Sequence, residues 1–160
     1  MDTMNWTLLV TVAAAVGSGL MAGLFFAFST SVIPGLKRRP NAEGIQAMQA
    51  ANVAIINPVF LTVFLGTTLA SAALLVTALF ADQPGSAWRL VGAVLYLAGS
   101  FGLTMAYNVP LNSALAAADP HSPEGAAVWT TYVSRWTAAN HVRALACAGS
   151  VVALVLAARR

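Results

Sequence analysis

The chain has 160 residues, 59% of them hydrophobic and 8% charged, with a mean hydropathy of +0.76; a soluble domain carries about 25% charged residues, so a water-dispersed globular protein is excluded and the solvent is a bilayer. A single cysteine, Cys147, excludes an internal disulfide and any cysteine-based metal cluster. The net charge of +3, concentrated in Lys37, Arg38 and Arg39, fits a membrane-surface anchor and not a nucleic-acid footprint.

A spanning helix needs about 20 mainly apolar residues, and four segments meet that length. The first, 6–33, is too long for a signal-peptide core and lacks a small-residue cleavage site, so it reads as a retained span. Pro34-Gly35 and the basic triplet are expected to stop it. Residues 41–57 follow, with Ile45, Met48, Asn52 and Ile55 at spacings of three and four, the pattern of an amphipathic helix. The second span, 58–80, starts at Pro58 and ends at "ADQPGS". The third runs over about 88–109. Residues 122–136 open with Ser122 as N-cap and Pro123 at the first helical position. They lead directly into the fourth span, 137–158, which ends at Arg159-Arg160. The predicted fold is all-α: one membrane domain over residues 1–160, an integral four-helix bundle with amphipathic segments between spans one and two and before span four.

Four spans put both termini on one side of the membrane, side A. The connections after spans one and three lie on side B. Ser29, Thr30 and Ser31 at the end of span one therefore fall on side B. So do Asn52 and Asn57 before span two, Asn108 and Asn112 at the end of span three, and Asn140, His141 and Arg143 early in span four. Five of the seven asparagines thus gather at one end of the bundle. Thr67, Thr68 and Thr104 lie deeper and can return their hydroxyls to their own helix backbone.

Polar side chains in hydrocarbon are costly unless paired, and ionisable ones are functional candidates by default. Arg143 has no Asp or Glu inside any span to pair with. Its partners must be amide oxygens, backbone carbonyls, water or a ligand. At ~100° per residue, Trp129, Tyr132, Trp136, Asn140, Arg143 and Cys147 share one helical stripe about 80° wide. That stripe predicts one wall of a cavity, and it leaves His141 facing elsewhere. Asn108 and Asn112, with Tyr107 beside them, share a face if the helix continues through Pro110. Pro110 also frees the carbonyl of residue 106. Trp6, Trp88 and Trp129 read as interfacial belt residues.

Four motifs, "FFAFSTSVIPGL", "MQAANVAIINPVF", "YNVPLN" and "WTAANHVRAL", occur in this order over the four spans. Together they resemble the anthrone oxygenase-like family of small four-span membrane proteins. The most specific pieces are Asn108-Val-Pro-Leu-Asn112 and the spacing of Trp136, Asn140 and Arg143. The family often carries a second tryptophan where this chain has Ala139. The resemblance implies oxidation of a lipophilic anthrone-type aromatic by dioxygen as co-substrate, without a tightly bound metal or flavin.

On that reading Arg143, Asn140, Asn108 and Asn112 hold an oxyanion, and His141 is the candidate base. Asn52, Asn57, Trp136, Tyr132 and Tyr107 bind the substrate. No metal site is expected. The alternative is a non-catalytic protein binding a lipophile, quinone or haem, or a subunit of a larger membrane assembly. Haem or copper would have to draw on His121 and His141, the only imidazoles. Coupled transport lacks the acidic residues and internal repeat it normally uses. The expected partners are a lipophilic small molecule and the bilayer, with no nucleic acid, and a homo-oligomer is compatible with the length. The expected location is the cell (inner) membrane as a multi-pass protein. Four basic residues against three point to side B as cytoplasmic.

Overall fold

Pro58 carries no backbone N–H to leave unsatisfied at a helix start, and Asn57 before it is extended and accepts from Phe60 N at 3.0 Å. This cap begins a helix that runs without interruption to Phe80, the bounds expected from the sequence. The computed structural model describes residues 3–81 and 83–159, and side chains from residue 6 onward; Arg160 lies outside the described residues.

Five helices result. α1 covers Thr3–Ala27 and continues through Phe28–Val32 and Ile33–Leu36. α2 is Asn41–Ala54 and α3 is Pro58–Phe80. α4 covers Ser86–Tyr96 and continues through Leu97–Gly102 and Thr104–Asn108 into Val109–Ala116. α5 is Pro123–Ala158, 36 residues. Ser122 caps α5, accepting from Gly125 N at 2.9 Å, and the helix enters the fourth span without a break. Helices α1, α3, α4 and α5 are each long and apolar enough to cross a membrane, and together they form an all-α multi-pass bundle.

One expected stop is corrected: Pro34 does not end α1, which runs to Leu36. α4 continues through Pro110, the condition for Asn108 and Asn112 to share a face, and runs to Ala116, past the span end expected near residue 109. A proline ring crowds the carbonyl four residues before it and removes one hydrogen bond. In both helices the turns just before the proline are π-helical, at Phe28–Val32 and Thr104–Asn108. The wider turn makes room for the ring and lets the helix continue.

The bundle packs in three tiers. Ala14, Leu74, Ala93 and Leu154 fill the side-A end. Met21, Phe25, Phe64, Tyr96 and Cys147 fill the middle. The side-B tier draws in α2: Ile33, Ile45, Met48, Leu115, Trp129, Tyr132, Val133 and Trp136 pack together. Gln49 Nε2 holds α2 in place, donating to Leu115 O at 2.9 Å and Ala118 O at 3.1 Å, two carbonyls at the end of α4. Trp129 is therefore not a belt residue. It is 3% exposed and stacked on Tyr132 with ring centroids 5.8 Å apart. Trp6 and Trp88 do face outward.

Candidate functional site

The phase of α5 decides which side chains meet. Tyr132, Trp136, Asn140 and Arg143 recur at three- and four-residue spacing and all four are buried. Trp136 stacks on Tyr132 at 5.7 Å, extending the aromatic ladder that starts at Trp129. Asn140, wholly buried, donates through Nδ2 to Phe25 O and to Ser29 Oγ, both at 2.6 Å. Its other atom, Oδ1, accepts from Arg143 Nη2 at 2.6 Å. Arg143 Nη1 donates to Thr104 Oγ1 at 3.0 Å, and that hydroxyl donates in turn to Ser100 O at 2.7 Å. One guanidinium is thus tied to α1 through Asn140 and to α4 through Thr104. The plane also lies 4.2 Å from the Phe25 ring centroid and 5.2 Å from that of Trp136, the geometry of cation–π contact. No carboxylate touches it among the described residues.

A cavity of about 420 Å³ opens beside this network, with all five helices contributing to its wall. Phe25, Phe28, Phe60, Phe64, Phe101 and Trp136 give it an aromatic lining. Its few polar residues are Asn52, Thr104, Asn112 and Arg143. Tyr132 orients two of them from behind. The phenol donates to Asn112 Oδ1 at 2.9 Å and accepts from Asn52 Nδ2 at 3.5 Å. With those atoms engaged, Asn112 keeps its NH2 and Asn52 its oxygen for a ligand. The cavity therefore offers a fixed cation at the level of Thr104 and an amide donor and acceptor at the level of Tyr132, in apolar surroundings that strengthen each contact.

Six of the ten residues expected at the site belong to this arrangement directly. Arg143, Asn112, Asn52 and Trp136 line the cavity, while Asn140 and Tyr132 position those that do. Asn108 stands behind the wall, 1% exposed, its Nδ2 donating to Trp136 O at 3.4 Å. The other three lie elsewhere. Asn57 is spent as the cap of α3 and bonds Ala54 O at 3.0 Å. Tyr107 is 40% exposed and lines a separate groove with Arg135 and Val142. His141 follows Asn140 by ~100° on the helix and faces away from the cavity into an outer groove with Lys37. The expected base is therefore absent from the cavity wall.

The alternative imidazole pair is also kept apart by these positions. His121 sits in the connection before α5, 3.2 Å from Gln46 Nε2, while His141 lines the outer groove. Among the described residues no three His, Cys, Asp or Glu side chains come together as a metal-binding group.

Sequence reasoning missed Thr104 and the backbone oxygen of Phe25. Thr104 does return its hydroxyl to Ser100, as expected, but that leaves its lone pairs free for Arg143. Phe25 and Ser29 are one turn apart, a signal that α1 presents one polar spot to a facing amide.

A family model described as anthrone oxygenase matches residues 59–153, more than half of the chain, from the second residue of α3 to beyond Arg143. No curated protein and no solved structure matches.

Proposed function

The chain belongs to the anthrone oxygenase family, and from that premise we propose that it is a membrane-embedded oxygenase oxidising a lipophilic, electron-rich aromatic with dioxygen. The observation that carries this reading is Arg143, a cation with no carboxylate partner among the described residues, held at the polar end of an aromatic-lined cavity. Such a group lowers the energy of an anion that forms beside it.

The proposed substrate is a fused-ring ketone of the anthrone kind, whose ring CH2 is acidified by the carbonyl across the ring. Loss of one CH2 proton to water puts negative charge on the carbonyl oxygen. That oxygen would lie against the Arg143 guanidinium, with the Asn112 NH2 left for a polar group further along the substrate, while Phe28, Phe64 and Trp136 stack on the rings. The anion transfers one electron to dioxygen, giving a carbon radical and superoxide. Their recombination forms the C–O bond. Loss of the second CH2 proton breaks the O–O bond, and the distal oxygen leaves as water. The balance is CH2 + O2 → C=O + H2O, so dioxygen supplies all the oxidising equivalents and no reductant is consumed. The chain's own contribution is to bind, orient and stabilise the anion. Asn140 and Thr104 aim the guanidinium, and Tyr132 fixes the two cavity amides. We place the protein in the cell (inner) membrane with side B cytoplasmic.

The test is oxygen uptake and quinone absorbance with an anthrone, using the protein reconstituted in nanodiscs. Arg143→Ala is expected to lower kcat/KM by about 10²–10³-fold, the usual effect of removing one oxyanion donor. An Arg143→Ala protein that folds and keeps full turnover would sink the reading. The scarcity of acid and base groups in the cavity favours one alternative, a carrier that binds a quinone or similar lipophile through the same donors. That protein would retain an anthrone stoichiometrically and consume no oxygen.

A further inference from the structure

A second depression, about 610 Å³, lies outside the bundle between the end of α1, the start of α2 and α5. It shares no lining residue with the inner cavity. Seven threonines in the helices return their hydroxyls to their own backbone: Thr11, Thr30, Thr67, Thr68, Thr77, Thr104 and, in this groove, Thr130. Other polar residues of the groove are left open, although Ser29 is bonded to Asn140. Lys37, Asn41, Ser134, Thr137 and His141 all line it, and none has a side-chain partner among the described residues. The hydroxyl of Thr137 is buried and unbonded. Ser134, Thr137 and His141 follow one another at spacings of three and four, so they form a continuous polar edge on α5. Donors left open together on the flank of a membrane protein cost energy unless a ligand meets them.

The charge of the groove says what that ligand is. No Asp or Glu lines it. The nearest acid in sequence, Glu43, is taken by Arg39 at 2.7 Å. The upper end thus carries an unpaired ammonium at the level of the basic triplet, where anionic headgroups gather. Ile33, Val133 and Trp129 supply apolar surface in the same groove. A group with several anionic oxygens and an attached acyl chain satisfies both parts.

We propose that this groove binds one anionic glycerophospholipid, its phosphate held by Lys37 and His141 and by the hydroxyls of Ser134 and Thr137. The lipid is a bound component of the side-B leaflet, separate from the oxidised substrate.

The experiment is native mass spectrometry of the protein released from nanodiscs of phosphatidylcholine doped with phosphatidylglycerol. The wild-type chain is expected to retain one phosphatidylglycerol in preference to phosphatidylcholine. Lys37→Gln should lower that preference about fivefold, the scale of one basic contact at an anionic surface, and His141→Ala should lower it less, through the loss of a ring hydrogen-bonding group. Ser134→Ala with Thr137→Val should lower it without changing any charge. Arg38→Gln, beside Lys37 but outside the groove, should leave it unchanged. Equal losses in Arg38→Gln and Lys37→Gln would overturn the proposal in favour of general surface charge. So would equal retention of the two lipids by the wild type. Displacement of phosphatidylglycerol by inorganic phosphate alone would overturn it in favour of a soluble anion.

Discussion

Arg89 and Arg143 are each 5% exposed and sit at opposite ends of the same bundle. Arg89 is answered close to home. Its Nη1 donates to Pro84 O at 3.0 Å and its Nη2 to Ser86 Oγ at 2.9 Å, so the guanidinium ties down the turn that starts its own helix. That turn is itself constrained: Gly85 has φ of +81°, and a Cβ there would meet Ala157 O. Arg143 is answered across the bundle, by side chains of α4 and its own helix, and the asparagine that holds it is anchored in α1. It also borders an open cavity. Burial alone does not separate the two. Nor does hydrogen bonding, since each makes two bonds and leaves its Nε unbonded; what separates them is that Arg143 faces a cavity a ligand can enter.

Three substitutions sharpen that contrast. Asn140→Asp would give Arg143 the carboxylate that the described residues withhold from it. The same change replaces the Nδ2 donor with an oxygen facing Phe25 O, so the tie to α1 is lost, while kcat/KM falls about a hundredfold because the cation is no longer free to meet a substrate anion. A melting midpoint below the wild type, together with oxygen uptake lost from the molecules that remain folded, is the expected pair of results. Full activity in Asn140→Asp would erase the distinction drawn here. Arg89→Gln should lower stability alone. It loses two charge-assisted hydrogen bonds and about 2 kcal/mol of stability by the usual scale, measured in a denaturant titration, with turnover per folded molecule unchanged. The smallest effect belongs to Tyr132→Phe, which releases Asn112 and Asn52 without touching Arg143. KM should rise about fivefold, close to the ~1 kcal/mol of one neutral hydrogen bond, and kcat should hold.

The spans were legible because hydrocarbon imposes its length on any helix that crosses it. α3 ends where composition says it should. The side-B gathering of asparagines followed from topology alone, and the Tyr132–Arg143 stripe from helical phase. Pro34 misled, because the rule that proline stops helices omits the π-turn that absorbs it at Phe28–Val32; Pro110 is absorbed the same way at Thr104–Asn108. Trp129 misled for a related reason. An aromatic at a span end reads as an interfacial anchor until α2 folds back over it, and nothing local in the sequence shows that cover. Asn57 illustrates the limit for polar residues: a capping asparagine and a ligand-binding one look alike until the helix start is fixed.

The length of α5 bears on how Arg143 is tolerated at all. Its 36 residues extend about 54 Å at 1.5 Å per residue, against a hydrocarbon core of about 30 Å. Laying the whole helix inside the core would need a tilt beyond the observed range of roughly 40°, so its first turns must stand in the headgroup layer. Counting about 20 residues back from Ala158 puts the hydrocarbon boundary near Ala139. Arg143 then lies only about 6 Å below it. At that depth the polarity gradient is still steep, and the penalty for a charge is far below its midplane value. The arginine is held where water ends, within reach of a substrate dissolved in lipid and a proton released to the aqueous side.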